Sequence, residues 1–217
     1  MNAQGYGKHI RNQIQSWPTG QPIVTAAVVA VLADTFDIDL ESAKKITNVT
    51  MKRLADKGEL VRVQKGVYGR MKMTPFGKLK PNTDVMVAGL LMRDGEKVIG
   101  YITGPTLLNA LGLCSWIPKE RHITTNNYRR QIPAGTPIRV HKPAVSVDND
   151  NYPYLQAIEA FMAMEQYPVD AEKPGHILRG MLSEKQISNE RLILYARRHY
   201  GQKTLAKTID IAIGGAD

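Results

Sequence analysis

The sequence predicts an α+β protein with a small basic head and a larger body that ends in helices. Apolar residues recur at helical spacing through the first third of the chain, and two short alternating strands follow. Strand and helix patterns then mix until about residue 145, after which the patterns are helical. A length of 217 residues allows two small domains. We expect them at residues 1–75 and 83–217, with a stretch rich in proline, glycine and lysine, residues 71–82, as the linker or the entry to the second domain.

The head shows a short series of elements whose order is informative. We predict helices at Tyr6–Ser16, from Ile23 or Thr25 to about Thr35, and at Leu40–Lys57, and strands at Leu60–Gln64 and Val67–Arg70. Gly58 is a natural cap for the third helix, and Lys65-Gly66 joins the strands. This is the order of a winged helix-turn-helix, in which the third helix enters the DNA major groove and the hairpin, or wing, lies along the neighbouring backbone.

The third helix carries two distinct faces. Its predicted inward face consists of Ala43, Ile46, Thr50 and Leu54. Lys44, Asn48 and Lys52 recur one turn apart and form a polar stripe, in which Asn48 could pair with an adenine edge and the lysines with phosphates or guanines. An ordinary solvated helix face is the alternative. Basic residues on the wing favour DNA, and the full predicted contact set is Lys44, Lys45, Asn48, Lys52, Arg53, Arg62, Lys65, Arg70 and Lys72.

The positive charge is concentrated in the head. The net charge is +9, and residues 1–80 hold 13 Lys and Arg against 6 Asp and Glu, whereas residues 81–217 hold 16 against 14. Such asymmetry is typical of a local surface that binds a polyanion, although a solvated face that aids solubility would give the same count.

The body is predicted to begin with mixed elements and to end in helices. Its expected helices are Asp84–Met92, Gly104–Leu111, Tyr154–Glu165, His176–Leu182, Asn189–His199 and Thr204–Ile211, and its expected strands are Lys97–Ile102, Arg121–Thr125 and Pro137–His141.

The sequence shows no pattern typical of an enzyme. The five histidines lack metal-ligand spacing, and no phosphate-binding loop or serine-nucleophile motif occurs. Asp94 and Glu96 are explained more simply by a turn than by a nuclease site. Cys114 is expected to be a buried thiol. We therefore predict no catalytic residue, no metal and no cofactor. With neither a long apolar run nor a signal peptide, the protein is expected in the cytoplasm.

Three phrases of the sequence resemble one known family. The head segment LADKGELVRVQKGVYGR is shared loosely with many winged-helix heads, whereas GYITGPTLLNALGL is more specific, and RHITTNNYRRQIPAGTPIRVHKPA follows it. Together they resemble the AbiEi antitoxins of bacterial type IV toxin–antitoxin systems, over about residues 6–200. The segment Phe76–Lys80 does not match the family pattern.

The resemblance implies a two-part function. The head would bind inverted repeats in the promoter of its own operon and repress transcription, through the helix Leu40–Lys57 and the wing Leu60–Arg70. The body would counter a cognate nucleotidyltransferase-like toxin, without a stable complex, as part of abortive infection in phage defence. Two alternatives stay open: an interaction protein whose body is the main functional part and whose head is a weak nucleic-acid tether, and an enzyme that acts on nucleic acid.

Overall fold

A computed structural model describes residues 3–214 of the chain, and it confirms the predicted α+β class with a helical end. The chain divides into two compact units, the first ending at Leu90 and the second beginning at Leu91. This division falls inside a helix, beyond the stretch 71–82 that the sequence favours as a linker.

The first unit begins with helices and a small sheet. Its elements in chain order are α1 (Ala3–Ser16), β1 (Ile23–Val24), α2 (Thr25–Phe36), α3 (Leu40–Asp56), β2 (Leu60–Gln64) and β3 (Val67–Arg70). The sequence predicted these elements to within a few residues, apart from β1. That strand of two residues pairs with β3, so the sheet has the order β1-β3-β2. Two residues are too short to show an alternating pattern, and only the pairing with β3 identifies them as a strand.

A turn of three residues joins α2 to α3 and is closed by local hydrogen bonds. Asp37 ends α2 in the left-handed conformation, with φ of 47°, and its N–H bonds to the carbonyl of Ala33. Asp39 caps α3, because its carboxylate accepts a hydrogen bond of 2.9 Å from the backbone N–H of Ser42. Hydrogen bonds from Ser42 also lower the pKa of Asp39. The cap fixes the residue at which α3 begins, and so the direction in which its stripe faces.

The core of the first unit lies under α3. Ala43 and Leu54 are buried as predicted, while Ile46 and Thr50 are only half-buried. Thr47 and Met51 complete the inward face. The buried side chains that meet this face come mainly from the two preceding helices and include Ile10, Ile14, Val28 and Leu32. The stripe residues therefore lie on the side of α3 that is turned away from this core.

The predicted linker contains a second hairpin, for which no strands were expected. Strands β4 (Lys72–Thr74) and β5 (Gly77–Leu79) pair in antiparallel register, and α4 (Thr83–Met92) follows. The hairpin has three-residue strands with lysines and no β-branched run, so its strand signal in the sequence is weak.

The second unit combines small sheets with helices. Its elements are β6 (Arg93–Asp94), β7 (Lys97–Val98), β8 (Gly100–Ile102), α5 (Gly104–Ala110), β9 (Arg121–Thr125), β10 (Ile138–His141), α6 (Tyr152–Gln166), α7 (Pro174–Glu184), α8 (Asn189–His199) and α9 (Gln202–Ile213). Strand β9 pairs antiparallel to β8 and parallel to β10. Asp94 and Gly95 lie at the β6–β7 turn, where Gly95 has a φ of 59°, as the turn explanation for this segment required. Phe161, Ile158 and Leu192 are fully buried in the core.

No helix in the described part of the chain is both long enough and apolar enough to cross a membrane.

Candidate nucleic-acid interface

Five of the nine predicted contact residues line one groove in the first unit. Lys44, Asn48 and Lys52 form one wall, on successive turns of α3, and all three side chains are exposed. Arg62 and Lys65 form the opposite wall, on β2 and at the tip of the first hairpin. The groove has a volume of about 1060 Å³. It therefore places donors from a helix and from a hairpin on either side of one open channel.

The hairpin tip is held in place by the start of α2. The backbone N–H of Thr25 donates a hydrogen bond of 2.8 Å to the carbonyl oxygen of Gly66. Gly66 has a φ of +74°, a left-handed conformation that glycine adopts at little cost. This confirms the role predicted for Gly66 in the turn. The position of Lys65 beside the groove thus depends on backbone contacts rather than on a free loop.

The charge of the groove is mainly positive. The lining includes four cationic side chains, Lys44, Lys52, Arg62 and Lys65, and two acidic ones, Glu41 and Asp56, which lie in the first and last turns of α3. Lys44 and Glu41 form an exposed ion pair of 3.4 Å. Exposed pairs of this kind contribute little, about 0–1 kcal/mol, so Lys44 can exchange its partner for a phosphate at small cost.

Apolar side chains complete the lining of the groove. Ala26, Val29 and Ala30 contribute from α2, and Leu40 from the start of α3, where it is 64% exposed. Tyr68 contributes from β3, where it is half-buried. Small apolar groups next to donors suit the sugar carbons of a nucleic-acid backbone or a thymine methyl group. The residues from α2 and β3 could not be assigned to this surface from the sequence, because only the fold brings those elements next to α3.

The other four predicted contact residues do not line this groove. Lys45 and Lys72 are exposed elsewhere, and Arg53 lies in a separate cleft of about 480 Å³ with Lys8, Arg11 and Lys57. The guanidinium of Arg70 donates to the carbonyl of Gln15 and, at 2.5 Å, to the hydroxyl of Thr19. Arg70 thus holds the end of α1 and the segment that follows it against the sheet.

The second unit holds a polar pocket of about 370 Å³ that sequence reasoning did not find. Glu159, on α6, accepts hydrogen bonds of 2.8 Å from the hydroxyls of Tyr101 and Thr124, and it also accepts one from the hydroxyl of Thr103. Three hydroxyl donors on one carboxylate hold it in a single orientation. Burial and then the charge of Glu159 raise the pKa values of Tyr101 and Tyr200, so both phenols keep their protons.

A pair of histidines lies on the wall of the same pocket. Nε2 of His141 is 3.2 Å from Nδ1 of His122, which implies that one ring donates to the other. Burial is the main cause that lowers the pKa of each ring, and Glu159 opposes the shift at His141. Spacing in the sequence did not reveal the pair because it depends on the parallel pairing of β9 with β10, which sets His141 opposite Thr124.

Two of the sequence phrases that carry the family resemblance contribute residues to this pocket or to the hydrogen bonds of Glu159, and α6 contributes much of the remaining lining. Tyr101 and Thr103 belong to GYITGPTLLNALGL, and His122 and Thr124 to RHITTNNYRR. In the first phrase, Gly100 packs so closely that a Cβ atom would lie 2.5 Å from the carbonyl oxygen of Leu91. Close backbone packing explains the glycine at position 100. Hydrogen bonding to Glu159 explains the hydroxyl side chains of Tyr101, Thr103 and Thr124.

Among the described residues, no group of three or more His, Cys, Asp or Glu side chains is arranged to hold a metal ion. Cys114 is buried as predicted, and this burial raises the pKa of its thiol.

The comparison with known families gives a family but no activity. Residues 10–181 match DUF6088, described as a family of unknown function. This match covers most of the sequence, so the chain belongs to the DUF6088 family. No curated protein matches the sequence.

Proposed function

We propose that this DUF6088 protein is a transcriptional regulator that binds duplex DNA through the groove between α3 and the first hairpin. The observation that carries the proposal is that Lys44, Asn48, Lys52, Arg62 and Lys65 converge on that groove. Residues predicted from helix periodicity and from the hairpin, two separate sequence signals, thus meet at one surface.

In the proposed complex, α3 lies in the major groove and one strand of the duplex runs between it and the hairpin. Asn48 would hydrogen-bond to an adenine edge, which carries sequence information. Lys44, Lys52, Arg62 and Lys65 would contact phosphates, which supply affinity that falls as salt rises. Thr25 and Gly66 keep the hairpin tip beside the strand that it would contact.

The order of elements supports a winged helix-turn-helix as the basis of this docking. The turn between α2 and α3 has three residues, a length typical of the motif. The hairpin β2–β3 follows α3 directly and takes the place of the wing.

We further propose that the protein acts in the cytoplasm as an AbiEi-type antitoxin. It would repress its own operon by binding inverted repeats and would counter a nucleotidyltransferase-like toxin through the second unit. The resemblance of GYITGPTLLNALGL supports this part, and the same phrase supplies Thr103 to the lining of the polar pocket and Tyr101 as a hydrogen-bond donor to Glu159. A protein that neutralises a partner through the second unit, with the first unit as a weak tether, is the alternative.

Binding to DNA from upstream of its own gene, compared with a scrambled duplex at several salt concentrations, tests the proposal. Tight binding to the upstream duplex alone, weakening steeply with salt, is the expected result. Equal weak binding to both duplexes would favour the tether. In cells that express the toxin, a full-length Lys44→Ala/Lys52→Ala variant should lose repression but keep protection, because the proposal assigns the two tasks to different units.

A further inference from the structure

The second hairpin exposes a set of apolar side chains at and around its tip. Phe76 is fully exposed, at 101% of its reference area, and Met73 and Leu79 are exposed by 69% and 57%. Leaving such side chains in water forfeits the stabilisation that their burial would provide. Three of them on one eight-residue hairpin indicate a surface that meets a partner.

The hairpin is closed at its tip and anchored through the middle of β5. The hydroxyl of Thr74 donates a hydrogen bond of 2.8 Å to the carbonyl of Gly77, across the turn that carries Phe76. Nζ of Lys78 donates one of 3.2 Å to the carbonyl of Gly58, the residue that follows the C-terminal cap of α3. The exposed ring is therefore presented on a hairpin tied to the end of the helix that lines the groove.

The charge around the hairpin favours a polyanion as this partner. Residues 71–83 contain Lys72, Lys78 and Lys80 and no aspartate or glutamate. Nucleic acid offers both phosphates for lysines and stacked bases for an aromatic ring. The basic groove in the same unit makes duplex DNA the partner that the observations favour over a membrane or a second copy of the chain.

We propose that Phe76 is an apolar wedge that inserts at a base step in the minor groove of the duplex bound by the first unit. Proteins that bind in the minor groove use Phe, Met, Leu and Pro in this way, and the inserted side chain kinks the duplex. Pro75 stiffens the chain just before the ring. Lys72 and Lys80 would neutralise phosphates on either side of the step. This inference rests on the proposed DNA binding and adds a second contact to it.

The test compares full-length wild type with Phe76→Ala on a short duplex that wild type binds. Fluorescence anisotropy gives the affinity, and energy transfer between dyes at the two duplex ends gives the bend. Phe76→Ala should weaken binding roughly fivefold to 150-fold through lost stacking. It should also reduce a bend of about 20–90° and leave the salt dependence unchanged, because no charge is lost. Phe76→Trp should retain affinity and bend.

Two further variants separate the wedge from simpler effects. Phe76→Lys should weaken binding if the ring stacks, and strengthen it if only charge matters. Ile117→Ala removes a side chain that is 84% exposed in the second unit and should change neither affinity nor bend. If Phe76→Ala matched wild type in both affinity and bend, the proposed wedge would be wrong, but the proposed DNA binding would be unaffected. If wild type bound no duplex, the proposed function and the wedge would fall together.

Phe76→Ala also tests the two other possible partners of the hairpin, a membrane and a second copy of the chain. A loss of binding to vesicles of phosphatidylcholine and phosphatidylserine in Phe76→Ala, with unchanged DNA affinity, would overturn the wedge in favour of a membrane contact. A change from dimer to monomer on sizing, again with unchanged DNA affinity, would overturn it in favour of a second copy.

Discussion

The backbone N–H of Thr25 donates a hydrogen bond of 2.8 Å to the carbonyl oxygen of Gly66. It joins the start of α2 to the tip of the first hairpin, elements that are far apart in sequence. The pairing of β1 with β3 continues this contact into the sheet. Because Lys65 precedes Gly66, the contact determines where the lysine stands relative to the stripe on α3. The geometry of the proposed DNA surface therefore depends on backbone structure that is already in place before DNA binds.

Replacing Gly66 with alanine should destabilise the first unit. At a φ of +74° a Cβ atom costs about 1–2 kcal/mol, so the free energy of unfolding should fall by that amount. Urea unfolding followed by Trp17 fluorescence, in a Trp116→Phe background, measures it. The matched control is Gly89→Ala, inside α4 with no atom within 4 Å of the new Cβ, which should stabilise by about 0.5–1 kcal/mol. Equal stability of Gly66→Ala and wild type would contradict the structure of this turn.

Substitutions of Arg70 and Lys65 should have opposite effects on stability and on the salt dependence of DNA binding. Arg70 donates to Gln15 and Thr19, so Arg70→Gln should lower the free energy of unfolding by about 1 kcal/mol and leave the salt dependence of DNA binding unchanged. Lys65→Gln should leave stability unchanged and reduce the slope of log affinity against log salt by about 0.9, the loss of one phosphate contact. The same salt titration applied to both variants checks this. If Arg70→Gln also reduced the slope of log affinity against log salt, Arg70 would have to be counted as a DNA contact.

The sequence predicted the stripe on α3 and the hairpin correctly, because both depend on local periodicity and turn residues. It placed Lys44 on the stripe and Lys45 off it, but it could not separate Arg62 from Arg70 as a groove residue. That distinction depends on α2 and β3 reaching the same side of α3, and on the contacts of Arg70 with the segment after α1. Strand β1 and the second hairpin escaped prediction for a similar reason, since their strands are defined by pairing and not by pattern.

The polar pocket shows the same limit more strongly. The hydroxyls of Tyr101, Thr103 and Thr124 come from β8, from the residue after it and from β9, and Glu159 comes from α6. Nothing in their spacing predicts that three hydroxyls bind one carboxylate. The resemblance marked the phrases that contain Tyr101 and Thr124, and the structure supplies a physical reason for those residue types.

Removing the Glu159 carboxylate should destabilise the second unit. Glu159→Ala leaves three hydroxyl donors without their acceptor, at a cost of about 3 kcal/mol. Glu165, on the same helix, is exposed and pairs with Lys203 at 2.9 Å and Lys207 at 3.4 Å, so Glu165→Ala should cost much less than Glu159→Ala. Urea unfolding followed by Trp116 fluorescence, in a Trp17→Phe background, compares the two. Equal effects of the two substitutions would show that the Glu159 network contributes no more than surface pairing.

The histidine pair should make the second unit less stable in mild acid. Burial lowers the folded-state pKa of His122 and His141 below the unfolded value of 6.5, so the unfolded chain binds more protons as the pH falls. The full free energy of unfolding is therefore present above about pH 6.5 and declines below it. Unfolding of the second unit at about pH 7.5 and about pH 5.5 measures the decline. His141→Gln should reduce it, whereas His176→Gln, an exposed control on α7, should not.

The salt dependence of duplex binding by two charge-matched double variants tests the central proposal most directly. Lys44→Ala/Lys52→Ala removes two cations that line the groove, and Lys45→Ala/Arg53→Ala removes two from the same helix that do not. We predict that the first variant lowers the slope of log affinity against log salt by about 1.8, at two phosphate contacts, while the second leaves it close to the wild-type value. Equal losses of slope in both variants would contradict the groove as the DNA-binding surface and would leave only a general attraction of a basic domain for DNA.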